Sequence, residues 1–166
     1  MAPVSYITRA QSFSAAHRLH SPHLTDEANL ALYGKCNHPN YHGHNYKVEI
    51  TLKGEINPSN GMVMNLVDLK ECIKHAVLDP LDHKNLDLDV DFFRKNPSTT
   101  ENLAVYIWRN FQYHFARHSA WRTSSASLYR VRIQETDLNS VEYFGEGEEN
   151  NQESLPDVEF DNRRHA

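Results

Sequence analysis

At 166 residues the chain is long enough for one domain with its own core and short for two. Its hydrophobic fraction of 39% and charged fraction of 23% are those of a soluble globular protein; no apolar run nears the ~18 residues of a membrane span, and Met1 to Ala10 lacks the plan of a signal peptide. The net charge of -5 gathers at the end, where Glu146 to Ala166 holds seven acids and two arginines against 15 of each sign before it, so no basic stripe speaks for DNA or RNA.

The first strand is expected from Val4 to His17, with alternation clear only near its end, where Phe13 and Ala15 alternate with Ser12 and Ser14. A second runs from Tyr46 to Lys53: Tyr46, Val48, Ile50 and Leu52 take one face and Lys47, Glu49, Thr51 and Lys53 the other. Leu66, Leu69, Ile73, Ala76 and Val77 then recur at helical spacing until Asp79-Pro80 is expected to stop the run. Ser98-Thr99-Thr100-Glu101 reads as a capping box opening a second helix, whose face is Leu103, Ile107, Phe111 and Phe115. Arg117 to Ser127 reads as a loop. A strand from Leu128 to Glu135 follows, with Val141 and Tyr143 as its hairpin partner beyond the turn at Asp137 to Ser140.

The order ββααββ implies an α+β fold: an antiparallel four-stranded sheet with two helices on one face. The other face and the open edges call for cover, and closing a barrel with copies of the same chain supplies it. Residues 1–145 form the expected single domain, and 146–166 an acidic, disordered tail. The two cysteines, Cys36 and Cys72, are few for a disulfide-built secreted domain and favour a reducing cytoplasm. Cys72 lies on the helical stripe and reads as core.

Chemistry gathers around the histidines, of which there are 11. In Tyr41-His42-Gly43-His44-Asn45-Tyr46 the two imidazoles are in phase with the buried face of the second strand, so both point inward, about 7 Å apart along it. Their spacing suits one shared metal ion, with Gly43 leaving room between them. His17, ending the first strand, is the candidate third ligand, while His20, His23 and His38 in nearby loop sequence are rivals. Three imidazoles with an open position describe a catalytic zinc site rather than a structural one.

Cys36 stands beside Lys35 in a polar turn, outside any apolar stripe, and reads as a fourth ligand, a nucleophile or base, or a buried small residue. Asp82-His83 after the first helix is either a proton relay or an ordinary loop dipeptide. Glu135, in phase with Val131 and Ile133, is either an inward carboxylate awaiting a ligand's donors or a solvated strand end.

Phe13-Ser14-Ala15-Ala16-His17-Arg18-Leu19, Gly34-Lys35-Cys36 with His42-Gly43-His44-Asn45-Tyr46, Pro80 to Asp87, Ser98 to Asn102 and Glu135-Thr136-Asp137 occur in the order found in one family. From about Ser12 to Gly147 the chain resembles the 6-pyruvoyl-tetrahydropterin synthases. That resemblance implies a T-fold, three subunits closing a barrel and two trimers stacked as a homohexamer, with active sites between subunits. It implies zinc on His17, His42 and His44; Cys36, Asp82 and His83 as catalytic triad; Glu135 as the pterin anchor; and Thr99, Thr100 and Glu101 as further pocket residues. The implied reaction converts 7,8-dihydroneopterin triphosphate to 6-pyruvoyl-tetrahydropterin and triphosphate, without an external redox cofactor.

Two other readings are weighed against it. A 6-carboxy-tetrahydropterin synthase of the queuosine pathway resembles this enzyme but usually has fewer residues between the cysteine and His-x-His than the five separating Cys36 from His42. A non-catalytic zinc module would close the site with Cys36. Departures from the family pattern are local: Ala15-Ala16, the Arg117 to Ser127 loop and the acidic tail.

Overall fold

The computed structural model describes residues 2–118, 121 and 124–148. Strand β1 (Val4–His17) pairs antiparallel with β2 (His42–Glu55) along its whole length, β2 with β4 (Ser127–Gln134), and β4 with β5 (Ser140–Tyr143). This is the expected four-stranded sheet. The structure adds a two-residue edge strand, β3 (Lys84–Asn85), parallel to β1 at Ala15 and Ala16.

Period-2 patterning decides which face is covered. Tyr46, Val48, Ile50 and Leu52 are fully buried, as are Val131 and Ile133 across the ladder. With them in one core cluster are Leu69, Ala76 and Val77 of the first helical segment and Leu103, Ile107 and Phe111 of α5 (Thr100–Arg117). Cys72 belongs to that core, and burial pushes its thiol up to about 12.

The opposite face is polar and internally paired rather than bare. Thr8 and Thr51 share a 2.8 Å hydrogen bond, Glu49 lies between Arg130 and Arg132 at 3.5 and 3.3 Å, and Arg130 reaches Glu142 at 2.9 Å. Its backbone edges are less protected. Between Val4 and Phe13 the edge of β1 away from β2 carries no strand among the described residues.

The first helical segment outruns the expected stop. Helix α2 (Leu66–Ile73) passes through a π-helical stretch (Lys74–Leu78) into a last turn, α3 (Asp79–Leu81), which takes in Pro80. A proline lacks the N–H that would serve the carbonyl four residues back. Asn110 of α5 donates its side-chain N–H to that carbonyl, Ala76 O, at 2.7 Å.

The capping box is displaced by one residue. Thr99 is the cap, its hydroxyl accepting the Asn102 N–H, while Ser98 is buried beneath the helix start. Two further helices went unexpected: α1 (Asp26–Tyr33), capped by Thr25, and the short α4 (Leu86–Asp89), capped by Asn85. Helix α1 buries no apolar side chain, only Asn29, which holds Ser21 through both its main-chain groups.

Most of the expected tail lies outside the described residues. Its start does not hang free: Glu148 takes Arg109 in a two-point ion pair at 3.0 Å and accepts the Tyr143 hydroxyl at 3.1 Å. In the Arg117 to Ser127 loop, Trp121 is buried and stacks on His118 at 3.9 Å between ring centres. No described helix is long and apolar enough to cross a membrane.

Candidate active site

Antiparallel register places His17 directly opposite His42, with Ala15 opposite His44. Strand phase then turns all three imidazoles to the covered face, with ring centres 4.6 Å apart for His17 and His42, 5.2 Å for His17 and His44, and 5.1 Å for His42 and His44. Their candidate ligand atoms all fall within 4.8 Å of one another. Gly43 keeps the strands close, since a side chain there would meet the Ala15 carbonyl at 3.1 Å. Tyr41, at φ +62°, turns the chain into β2 just before His42.

His17 is 1% exposed, and its Nδ1 donates to the Ser98 carbonyl at 2.7 Å. This assigns the proton to Nδ1 and leaves Nε2 as a lone-pair donor. That Nε2, like His42 Nδ1, is buried without a hydrogen-bond partner. Burial, foremost, lowers the pKa of His42, with His17 and His44 adding to it; burial likewise lowers that of His44. Converging imidazoles, two of them with their charged form disfavoured by burial, are what a zinc ion requires of its ligands, so the residues fit the metal.

The rival histidines take no part. His20 Nδ1 meets Asn37 and His38 Nδ1 accepts the Asn40 N–H, and among the described residues the cluster contains only His17, His42 and His44. Cys36, on a 3-10 turn (Gly34–Asn37), is half-buried and also outside the cluster. The turn is tied to β1 by the Leu19 N–H, which donates to Cys36 O at 2.9 Å.

Glu135, just beyond β4, reaches over the imidazoles. Its Oε1 lies 3.9 Å from His17 Nε2 and 3.8 Å from His44 Nε2 and accepts the Thr100 hydroxyl at 2.9 Å. Its side chain is 22% exposed, so it is neither a solvated strand end nor sealed from a ligand. Of the other expected pocket residues, Thr99 is engaged as a helix cap and Glu101 is exposed in the first turn of α5.

Asp82 and His83 sit elsewhere. Ser14 is gripped from both sides, its N–H donating to Asp82 Oδ1 at 2.9 Å and its carbonyl accepting the His83 N–H at 2.7 Å. The Ser14 N–H, foremost, holds the Asp82 carboxyl below the usual carboxylate range, with His83 contributing. Asp82 Oδ2 lies 3.0 Å from His83 Nδ1, and the His83 ring is 84% exposed. His83 adopts φ +60°, a conformation a non-glycine residue takes only when its surroundings impose it.

A cleft of about 590 Å³ is lined by His83 and by Ser14, Ala16, Gly43 and Asn45. Ala15 and His44 of the inward set line it too, so the cleft runs from the outward strand residues to the edge of the imidazole cluster. Among the described residues Cys36 shares no hydrogen bond with either member of the pair. One chain thus assembles three imidazoles and Glu135, but leaves the Asp82–His83 pair facing outward.

Sequence reasoning read Tyr46 only as core. It is fully buried, with its ring edge-on to His44 at 5.5 Å and to His17 at 6.2 Å, and its hydroxyl has no hydrogen-bond partner. Nearby Glu135 and Asp87 add to the burial that raises its pKa. The signal was available in the strand phase, which continues the His42, His44 series to Tyr46.

Residues 6–146 match the profile of the family described as 6-pyruvoyl tetrahydropterin synthase. The chain is 58% identical over 144 residues to the 6-pyruvoyl tetrahydrobiopterin synthase of Poecilia reticulata, covering 86% of this chain and 92% of that protein. It is 55% identical over 140 residues to the Homo sapiens enzyme of the same name, covering 84% and 91%. The solved Caenorhabditis elegans 6-pyruvoyl tetrahydropterin synthase superposes with a TM-score of 0.78 at 43% identity, covering 87% of this chain and 97% of that one.

Proposed function

The chain belongs to the 6-pyruvoyl tetrahydropterin synthase family, and from that premise we propose that it is a zinc-dependent lyase of tetrahydrobiopterin biosynthesis. It converts 7,8-dihydroneopterin triphosphate to 6-pyruvoyl-5,6,7,8-tetrahydropterin and triphosphate. The observation that carries this reading is the trio of converging imidazoles beside a carboxylate with one oxygen uncommitted among the described residues.

His17, His42 and His44 hold the zinc, which when bound supplies Lewis acidity toward the oxygens of the substrate side chain. Ser98, through its carbonyl, keeps His17 in the ligating tautomer. Glu135 anchors the pterin: Thr100 occupies Oε1, and Oε2 is left to accept from the ring's paired N–H donors. Thr99 and Glu101, at the start of α5, complete the pocket wall.

The Cys36 thiolate takes the proton from the side-chain carbon, and His83, oriented by Asp82, carries protons to and from the rearranging side chain. One hydroxyl-bearing carbon is oxidised to a carbonyl as the ring takes up two electrons, and the second carbonyl forms as triphosphate departs and the carbon that carried it becomes a methyl, so no external oxidant is consumed. Because the His83 ring is exposed and the pair lies outside its own chain's three-imidazole cluster, we place the full set between subunits of a homohexamer. The open edge of β1 suits that assembly. Residues 1–145 act as one domain, and the free thiols of Cys36 and Cys72 suit the cytoplasm, where we place the enzyme.

A closed, non-catalytic zinc site is disfavoured because Cys36 lies outside the cluster. Incubating metal-loaded protein with 7,8-dihydroneopterin triphosphate and identifying the product tests the function. 6-Pyruvoyl-tetrahydropterin with released triphosphate is expected; a 6-carboxy product, or none, overturns the reading.

A further inference from the structure

A second concavity, of about 550 Å³, lies beside the Cys36 turn, lined by Arg18, His20, Lys35, Asn37 and His38, with Asp26 also on its wall. We propose that it is the seat of the substrate's triphosphate, with Arg18 and Lys35 as its cations; the identity of the anion rests on the function proposed above.

Uncompensated charge is the first argument. Arg109, Arg130 and Arg132 each face a carboxylate within ion-pair distance, whereas neither Arg18 nor the Lys35 ammonium has one among the described residues. In a chain of net charge -5, two unneutralised cations on one groove make a local positive field.

Orientation is the second. Arg18 Nε donates to Asn37 O at 2.6 Å and Nη2 approaches Asn37 Oδ1 at 3.5 Å, while Asn37 is itself buried and fixed by donating to Leu19 O at 2.7 Å. The guanidinium is therefore held by one edge, leaving Nη1 without a partner among the described residues. A planar fork fixed in this way is suited to phosphate oxygens.

Location is the third. Arg18 follows the ligand His17, and Lys35 precedes Cys36, so the cations stand one residue from the ligand and from the base. The Leu19 N–H to Cys36 O bond fixes the two segments against each other.

The test is titration calorimetry of metal-loaded protein with inorganic tripolyphosphate and, separately, with a pterin lacking phosphates, metal content being checked afterwards. Lys35→Gln and Arg18→Lys are each expected to weaken tripolyphosphate binding about tenfold or more, with the phosphate-free pterin bound as by the parent. Asp26→Asn, removing an opposing charge, is expected to tighten it. Lys70→Gln, an exposed lysine on α2, serves as the control for general charge. The proposal is overturned if Lys35→Gln and Arg18→Lys bind tripolyphosphate like the parent, or if Lys70→Gln weakens it as much as they do. Lys35-dependent tripolyphosphate binding in a protein that converts no dihydroneopterin triphosphate keeps the groove and rejects the function.

Discussion

The three imidazoles and the Asp82–His83 pair are both anchored to strand β1, the first through His17 and its pairing with β2 and the second through Ser14, yet end in opposite conditions. His17 and its partners are inward and wholly or partly buried, and His17 is held by the hydrogen bond its Nδ1 donates to the Ser98 carbonyl ahead of α5. His83 is outward, 84% exposed and held at a positive φ. The imidazole cluster is assembled by local register within one chain, whereas the Asp82–His83 pair is fixed in shape but exposed and outside that cluster. Binding and chemistry are therefore separable by mutation.

The largest effects sharpen that separation. His42→Ala and His44→Ala remove ligands from the preassembled side, so metal content should fall from about one zinc per chain toward zero and turnover should vanish with it. Cys36→Ala should retain the metal while turnover falls about 10²–10⁴-fold, the usual contribution of a base. Elemental analysis alongside kinetics decides: zinc lost with Cys36, or kept in both histidine variants, breaks the contrast.

Glu135 belongs to the inward group by position and, on the proposed function, serves the substrate. Glu135→Gln should leave zinc in place and weaken binding of a phosphate-free pterin by about 1.5–3 kcal/mol, the worth of a charge-assisted hydrogen bond. Unchanged pterin affinity in that variant would move the anchor elsewhere.

Tyr46 measures what preassembly costs. Its buried hydroxyl is unpartnered, so Tyr46→Phe should stabilise the metal-free chain by about 1 kcal/mol. A lower unfolding temperature for that variant would show that the hydroxyl is already partnered without metal.

The smallest effect concerns Asp82, whose carboxyl is depressed below its ordinary 3.8 by the Ser14 N–H. A depressed carboxyl stabilises the fold fully above 3.8, and the contribution is lost as pH falls through the lowered folded value. An NMR titration should place the Asp82 midpoint below 3.8. A midpoint at or above it would mean that the Ser14 clasp does not persist in solution.

Much of this was legible in the sequence where side chains repeat with a period. Alternation in β2 and β4 puts His42, His44 and Glu135 on the covered face, and the chain order of the four strands of the antiparallel sheet is legible with it. What escaped was carried by backbone or by absent pattern. Helix α1 shows no apolar stripe because Leu30 and Leu32 are exposed and Asn29 is its buried residue. The acceptor that fixes His17 is the Ser98 carbonyl, and a carbonyl has no residue signature; reading Ser98 as part of the cap misplaced it. Pro80 stops most helices, but Asn110, thirty residues away, supplies the donor that Pro80 cannot. The outward aim of His83 depends on how the loop after α3 crosses β1, which no local period encodes.

The central claim, that one chain carries a whole metal site and borrows its relay from a neighbour, is tested most directly by mixing inactive subunits. Cys36→Ala and His83→Ala chains, co-assembled in equal amounts, should regain about a quarter of parental activity, since random pairing leaves that share of interfaces intact. Cys36→Ala mixed with His42→Ala, where both lost groups belong to the same chain's half of the site, should regain none. Absence of activity in the first mixture, with mixed oligomers shown to form, or equal recovery in both, would contradict the account.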